Sequence, residues 1–222
     1  KHANKIVAVS EYTKHVVSEH LGIASSRITV IPNGVSEHYV PIDNFKTTIA
    51  YQELLRDYGI GDRTPIIMHV GSEHPRKNLE TVLRTIAILK KQYPDMVLLN
   101  IADAGIRAGR IKTLEYIDRF NLRSHVKLIG SVSAERMNEL YTIADALLFP
   151  SHLEGFGLPV LEAMAAGCPV VCSNTTSLPE VVGDGAIMHE PDNAEQFAVS
   201  ITHILSNNAF RNDLIERGKR RA

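Results

Sequence analysis

Between Ala146 and Ser173 the chain reads ALLFPSHLEGFGLPVLEAMAAGCPVVCS. An apolar run stops at Pro150, a glycine-bearing loop follows, then a small-residue helical stretch, then a second apolar run from Pro169 to Ser173. Two short buried-type strands joined through a helix belong to a βαβ unit, and βαβ units force neighbouring strands to lie parallel. The rest of the chain repeats the alternation. Strands are expected at 65–70, 96–101, 126–129 and 186–189, with helices at 78–92, 107–120, 134–144, 178–182 and 194–206. Ser133 is the expected N-cap of the 134–144 helix, and Asp192 with Glu195 reads as a capping box for the last of these. The fold class is therefore α/β with a doubly wound parallel sheet.

The start is arranged differently. KIVAV (residues 5–9) is a strand, Ser10 caps a helix from Glu11 to Leu21, Gly22 ends it, and RITVI (residues 27–31) is a second strand. Residues 35–46 read as loop and Thr47 to Tyr58 as a helix with Leu54, Leu55 and Tyr58 on its apolar side. The end, NAFRNDLIERGKRRA, reads as a basic helix that stops abruptly.

Open α/β sheets bind ligands at the carboxyl ends of their strands, so the loops after Val70, Ile129 and Phe149 are expected to converge on one cleft. In the last of these loops Gly155 and Gly157 let backbone amides approach a ligand, and Pro159 suits a first helical turn. The helix expected from Val160 to Ala166 turns its positive end toward that loop. Glu154 and Glu162, with seven residues between them, can both face one pocket. An isolated pair of this kind reads as a solvated helix start, but this one is glycine-gapped and lies between two apolar strands. In GSEHPRKNLE, Gly71 permits close approach, and Arg76 and Lys77 stand before a helix start where cations cap poorly and hold phosphate well.

The segment EGFGLPVLEAMAAGCPVV resembles the E-x7-E signature of family-four retaining glycosyltransferases, the GT-B group that uses nucleotide-sugar donors. The resemblance implies a Rossmann-like C-terminal half of a GT-B fold for residues 27–222, truncated before the family's returning helix. Residues 1–26 then read as a remnant of the first Rossmann domain and the crossing. The chain begins with Lys, in keeping with a fragment. By the same resemblance Glu162 binds the ribose hydroxyls and Glu154 faces the transferred sugar. Lys77, with Glu154 the expected catalytic pair, holds the diphosphate beside Gly71, Ser72 and Arg76. The amides of Gly155, Phe156, Gly157 and Leu158 lie along sugar and phosphate, and backbone groups at Ser131 and Val132 read the base. Ser72 stands where many members carry Arg, and Asp103 and Ala104 replace the first part of the usual G-x-G turn, of which Gly105 survives.

The expected activity is hexosyl transfer with retention from GDP-mannose or a UDP-sugar to a carbohydrate or lipid-linked acceptor held by the first domain. The isolated chain is expected to be inactive. The other readings are a non-catalytic nucleotide-sugar-binding subunit and a retaining glycosidase using Glu154 and Glu162. No cofactor or metal is expected, since there is no Asp-x-Asp and no His/Cys spacing of a zinc site. A net charge of −1 gives no field for nucleic acid, and no run approaches the roughly 18 apolar residues of a membrane span. A cytoplasmic setting is expected, compatible with peripheral contact at the inner membrane face. Cys168 and Cys172, about 13 Å apart along a strand, read as buried thiols. Of the ten histidines, His69 inside a strand reads as a core imidazole, and His74 and His152 as candidates near the donor sugar.

Overall fold

A computed structural model of the protein describes residues 3–102 and 107–222. The turn read at Asp103, Ala104 and Gly105 lies outside the described residues. Six strands form one wholly parallel sheet: β3 (Ile66–Val70), β4 (Val97–Ile101), β5 (Val126–Ile129), β6 (Ala146–Phe149), β7 (Val170–Ser173) and β8 (Ile187–His189), in the spatial order β5-β4-β3-β6-β7-β8. The strands read as near-continuous apolar runs because a parallel sheet is covered on both faces. Met68, Leu99, Leu147, Phe149 and Val170 face one layer, where α2 (Ile49–Tyr58), α5 (Ala134–Ile143), α6 (Leu158–Ala165) and α7 (Leu178–Val182) pack. Ile67, Leu98, Leu148 and Val171 face the other, against α3 (Leu79–Leu89), α4 (Arg107–Arg119) and α8 (Ala194–Ser206). The alternation of neighbours along each strand is the period of two that puts successive side chains on opposite faces. Leu83, Ile86, Leu98 and Phe197 are all fully buried, each stabilising the fold by about 1.5–3 kcal/mol relative to exposure. Cys168 and Cys172 are buried and free, and burial pushes both thiols up to about 12.

The chain start stands apart. β1 (Ile6–Ala8) pairs in parallel with β2 (Ile28–Val30) in a separate two-stranded sheet, with α1 (Glu11–Leu21) between them. The division expected at residues 26 and 27 falls within this unit. α9 (Asn208–Arg221) closes the chain, packing against α6 and α8.

The starts of α2 and α6 and the cap of α8 differ from expectation; α2 begins at Ile49 rather than Thr47, because Thr48 caps it by accepting from the Tyr51 amide at 3.1 Å. α6 begins at Leu158 rather than Val160, because Gly157, at φ 104°, makes the turn into the helix and puts Pro159 in its first turn. α8 is capped by Asn193, whose side chain accepts from the Gln196 amide at 3.1 Å, and not by Asp192. Asp192 instead accepts from Asn78 Nδ2 at 3.2 Å and lies 3.4 Å from His152 Nε2. The expected N-cap Ser133 accepts from the Arg136 amide at 3.3 Å.

Candidate functional site

The strand order reverses direction between β3 and β6. From β3 the chain winds outward to β4 and β5, then returns to the other side of β3 for β6, β7 and β8. At such a switch point the loops after the two central strands diverge and leave a crevice. The Gly71–Lys77 loop follows β3 and the Ser151–Gly157 loop follows β6, so Lys77 and Glu154 meet although they lie far apart in sequence.

Their contact is close. Lys77 Nζ donates to Glu154 Oε1 at 2.6 Å, and each side chain is only 8% exposed. Arg76, 40% exposed, donates through Nη1 to Glu154 Oε2 at 3.1 Å and to the Leu153 carbonyl at 3.0 Å. Arg76 thus braces the Glu154 loop. Lys77 lies over the Phe149 ring, 4.9 Å from its centroid. Burial pushes the Lys77 ammonium below its ordinary value, while the bond to Glu154 opposes that shift.

Local sequence explains how Lys77 reaches this position. Pro75 opens a 3₁₀ turn over residues 75–77, and Asn78, at φ 53°, turns the chain into α3 while its side chain caps Thr81. Gly71 also leaves room for the lysine stem: a Cβ there would stand 3.1 Å from Lys77 Cδ.

The Glu154 loop is buttressed from two sides. Ser177 Oγ donates to the carbonyls of Glu154 and Phe156 at 3.0 and 3.1 Å, and Thr176 Oγ1 accepts from the Glu154 amide at 3.1 Å. From the chain start, Ser10 Oγ and Thr13 Oγ1 donate to the Gly155 carbonyl at 2.7 and 3.1 Å. At Gly157 a Cβ would meet Leu178 Cδ2 at 2.7 Å, so α6 can begin so close to α7 only with glycine there. The amides of Phe156, Gly157 and Leu158 take no partner among the described residues, which leaves donors at the positive end of α6.

Glu162 is a separate station. It lies half-buried on α6, and its Oε2 accepts from Tyr141 Oη at 3.1 Å. Burial raises its pKa and the Tyr141 bond opposes the rise. Glu162 makes no ion pair with Lys77 or Arg76 among the described residues. Ser131 and Val132 follow β5 at the sheet edge, two strands from β3, a span of roughly 10 Å. Val132 packs on the α5–α6 layer.

The histidines divide. His69 is fully buried, its Nδ1 lies 3.0 Å from the Leu148 carbonyl, its Nε2 has no partner among the described residues, and burial lowers its pKa to about 4. His74 caps the 3₁₀ turn by accepting from the Arg76 amide. His152 ties the two loops together, since its amide donates to the Arg76 carbonyl at 2.8 Å. Sequence reasoning missed Tyr141, Thr13 and Ser177, and read Ser10 only as a helix cap. Tyr141 carries an ordinary core-helix pattern, and the hydroxyls carry no motif.

Two well-formed cavities lie elsewhere. A space of about 590 Å³ opens on the α3–α4 side of the Lys77 loop, lined by His74, Glu80, Lys112, Tyr116 and His152 among others, and it includes Ser72. A second, of about 250 Å³, lies between the chain start and α6–α7, beside Ser10, Phe156, Glu180 and Arg221. Lys77, Glu154 and Glu162 line neither. Concave volume and charged machinery diverge here, and the buried, mutually bonded charges are the stronger pointer to chemistry.

The family model for glycosyl transferases group 1 matches residues 51–221. The chain belongs to the group 1 glycosyl transferases. Residues 1–39 match a second model, Glycosyltransferase Family 4, so the β1–α1–β2 unit and the large sheet answer to different descriptions. O-antigen chain mannosyltransferase B of Escherichia coli is 29% identical over 221 residues, 97% of this chain and 55% of the relative. The serotype-specific mannosyltransferase WbdA of Escherichia coli is 30% identical over 217 residues, 96% of this chain and 26% of the relative. The chain thus spans about half the length of the first and about a quarter of the second. Anabaena Alr3699/HepE, solved in complex with UDP-glucose, superposes with a TM-score of 0.87 at 19% identity, covering 99% of this chain and 59% of that one. A glycosyltransferase from Rickettsia africae superposes at 0.86 with 23% identity, over 98% of this chain and 57% of its own. These likenesses establish the fold of the C-terminal half of a GT-B protein for this group 1 glycosyl transferase.

In this glycosyl transferase two cations share one buried carboxylate, which leaves the cluster at net +1 beside the positive end of α6. An anion is favoured there, and a divalent one more than a monovalent one. Among the described residues no three His, Cys, Asp or Glu side chains group as a metal site, and no helix is long and apolar enough to cross a membrane.

Proposed function

We propose that this chain is the donor-binding half of a retaining, metal-independent glycosyltransferase. It holds a nucleoside-diphosphate sugar, with GDP-mannose favoured over a UDP-sugar by the mannosyltransferase relatives, for transfer to a carbohydrate or lipid-linked acceptor. The observation that carries this reading is the buried Lys77–Glu154 pair with the more exposed Arg76, just before the start of α6 at the sheet's switch point. The diphosphate leaving group gains charge as the glycosidic bond breaks. One ammonium about 4 Å from it contributes about 4 kcal/mol at an effective dielectric of 20, before desolvation is deducted. Lys77 and the free amides of Phe156, Gly157 and Leu158 supply that stabilisation where other enzymes use a metal. Glu154 orients the two cations and stands beside the transferred sugar, Glu162 accepts from the ribose hydroxyls, and backbone at Ser131 and Val132 meets the base.

The glycosidase reading is disfavoured by the same cluster. A retaining glycosidase needs two carboxylates about 5 Å apart and free to protonate and attack. Glu154 instead has both oxygens occupied by cations.

Calorimetric titration with GDP, UDP and their sugars, with and without a chelator, tests the proposal. Binding of one nucleoside diphosphate is expected, unchanged by chelator and lost in Lys77→Ala. Binding that chelator abolishes would refute metal independence.

A further inference from the structure

Tyr141 is among the largest fully buried side chains of the protein, yet its hydroxyl is spent on a carboxylate at the candidate site. It projects from α5 and donates to Glu162 Oε2 at 3.1 Å. Its ring is held in turn by Tyr39, edge-on at 5.9 Å between centroids and 68° between planes. Tyr39 comes from the segment before α2 and is itself half-buried against the same layer. A glutamate on a helix surface samples several rotamers, and a carboxylate that must meet two vicinal hydroxyls performs better when one oxygen is pinned. Tyr141 pins Oε2 and leaves Oε1, which takes no hydrogen bond among the described residues.

We propose that Tyr141 is a positioning residue that fixes the Glu162 carboxylate for the ribose, so that preference for a ribonucleoside over a deoxyribonucleoside diphosphate depends on a hydroxyl too deeply buried to touch the ligand. The inference rests on the assignment of Glu162 to the ribose made above. The donor is constant: burial, then the charge of Glu162, raise the Tyr141 phenol well above its ordinary value, so it stays protonated wherever the protein is folded. The titratable groups facing Glu162 are Tyr141 from α5 and Tyr39 from the preceding segment. Both remain neutral near pH 7, so the state of the site follows Glu162 alone.

The test measures affinities of GDP and 2′-deoxy-GDP, and of UDP and 2′-deoxy-UDP, for the full-length protein at pH 8 and pH 6. A hydrogen bond to a charged group corresponds to a preference for the ribonucleotide of roughly tenfold or more. Tyr141→Phe removes only the hydroxyl and is expected to narrow that preference at least threefold at pH 8. It should narrow it further as the pH falls, because Glu162 then lacks the bond that opposes the rise of its pKa. Equal loss for both nucleotides, or no change in the ratio, would show that Tyr141 serves packing only and overturn the inference. Glu162→Gln separates the underlying assignment: a wild-type ratio in that variant removes Glu162 from the ribose altogether. A ratio that collapses in Glu162→Gln but not in Tyr141→Phe leaves the assignment standing and sinks only the role of Tyr141. The double variant Tyr141→Phe/Glu162→Gln has no buried carboxylate left unpaired, so it tests the point even if the single one folds poorly. It should match Glu162→Gln, and any further loss of ratio contradicts action through Glu162.

Discussion

Lys77 and Glu154 form a buried ion pair at 2.6 Å between the loops that follow the paired strands β3 and β6. The sheet brings them together, because the reversal of strand order makes the loops after β3 and β6 neighbours. A buried pair stabilises weakly as a pair but strongly resists loss of one member. Arg76 adds a second, more exposed positive charge, and it is this surplus that an anionic ligand answers.

Removing Lys77 alone should therefore destabilise the fold. Lys77→Met leaves the Glu154 carboxylate buried with only Arg76 beside it, and a loss of about 3 kcal/mol is expected in urea unfolding. The double variant Lys77→Met/Glu154→Gln should lose about 1 kcal/mol, since no bare charge remains. Equal losses in the two variants would show that the pair is not energetically coupled.

The two glutamates should separate in calorimetry. Glu162→Gln is expected to weaken a free nucleoside diphosphate and its sugar conjugate alike, by about 1–3 kcal/mol. Glu154→Gln releases Lys77 and Arg76 from their counter-charge, so the free diphosphate should bind as well as before or more tightly while the advantage of the attached sugar falls. Parallel losses in both variants would abolish this division of roles.

Much of this was legible in the residues, and what was not has a physical reason. IIMHV, VLLNI and ALLF announce strands because a parallel sheet buries both faces, and Ser10 and Ser133 announce helix starts because their hydroxyls cap orphan amides. Lys77, Glu154 and Glu162 could be singled out by motif. Their partners could not, since neither Lys77 and Glu154 nor Tyr141 and Glu162 stand at a local spacing that periodicity reads. The residues alone put the start of α6 two positions late because Pro159 stands second in the helix, and only the φ of Gly157 reveals where the turn is made. Asn193 was passed over for Asp192 because both are good caps one residue apart, and the choice fell to Asn78, which engages Asp192 from across the fold.

The chain start should respond to a change in the large domain. Both oxygens of Glu180 accept from the first turn of α1, from the Glu11 and Tyr12 amides at 2.9 Å each. A carboxylate at a helix N-terminus satisfies orphan donors and the dipole together. Glu180→Ala should cost about 1 kcal/mol, comparable to loss of a cap. Hydrogen exchange should quicken at residues 11–13 and not in α3. Unchanged protection at those amides would show that the contact holds nothing in place.

Acid sensitivity should trace in part to His69. Its imidazole is wholly buried and titrates near pH 4 in the fold, against about 6.5 in the unfolded chain. A pKa lowered by folding means that the unfolded state binds the extra proton first. Stability from this group is therefore complete above pH 6.5 and falls as pH drops through the window from 6.5 to 4, by about 3 kcal/mol in total. Carboxylates lose their own contributions in the same range, so the quantity to measure is a difference between proteins. His69→Leu removes the titrating ring and retains an apolar side chain in β3, at the cost of the Nδ1 contact to Leu148. Urea unfolding of both proteins at pH 7 and pH 4.5 should show a smaller acid loss in His69→Leu. The difference should approach 2–3 kcal/mol, and identical losses would mean that the ring can be protonated in place without opening the sheet.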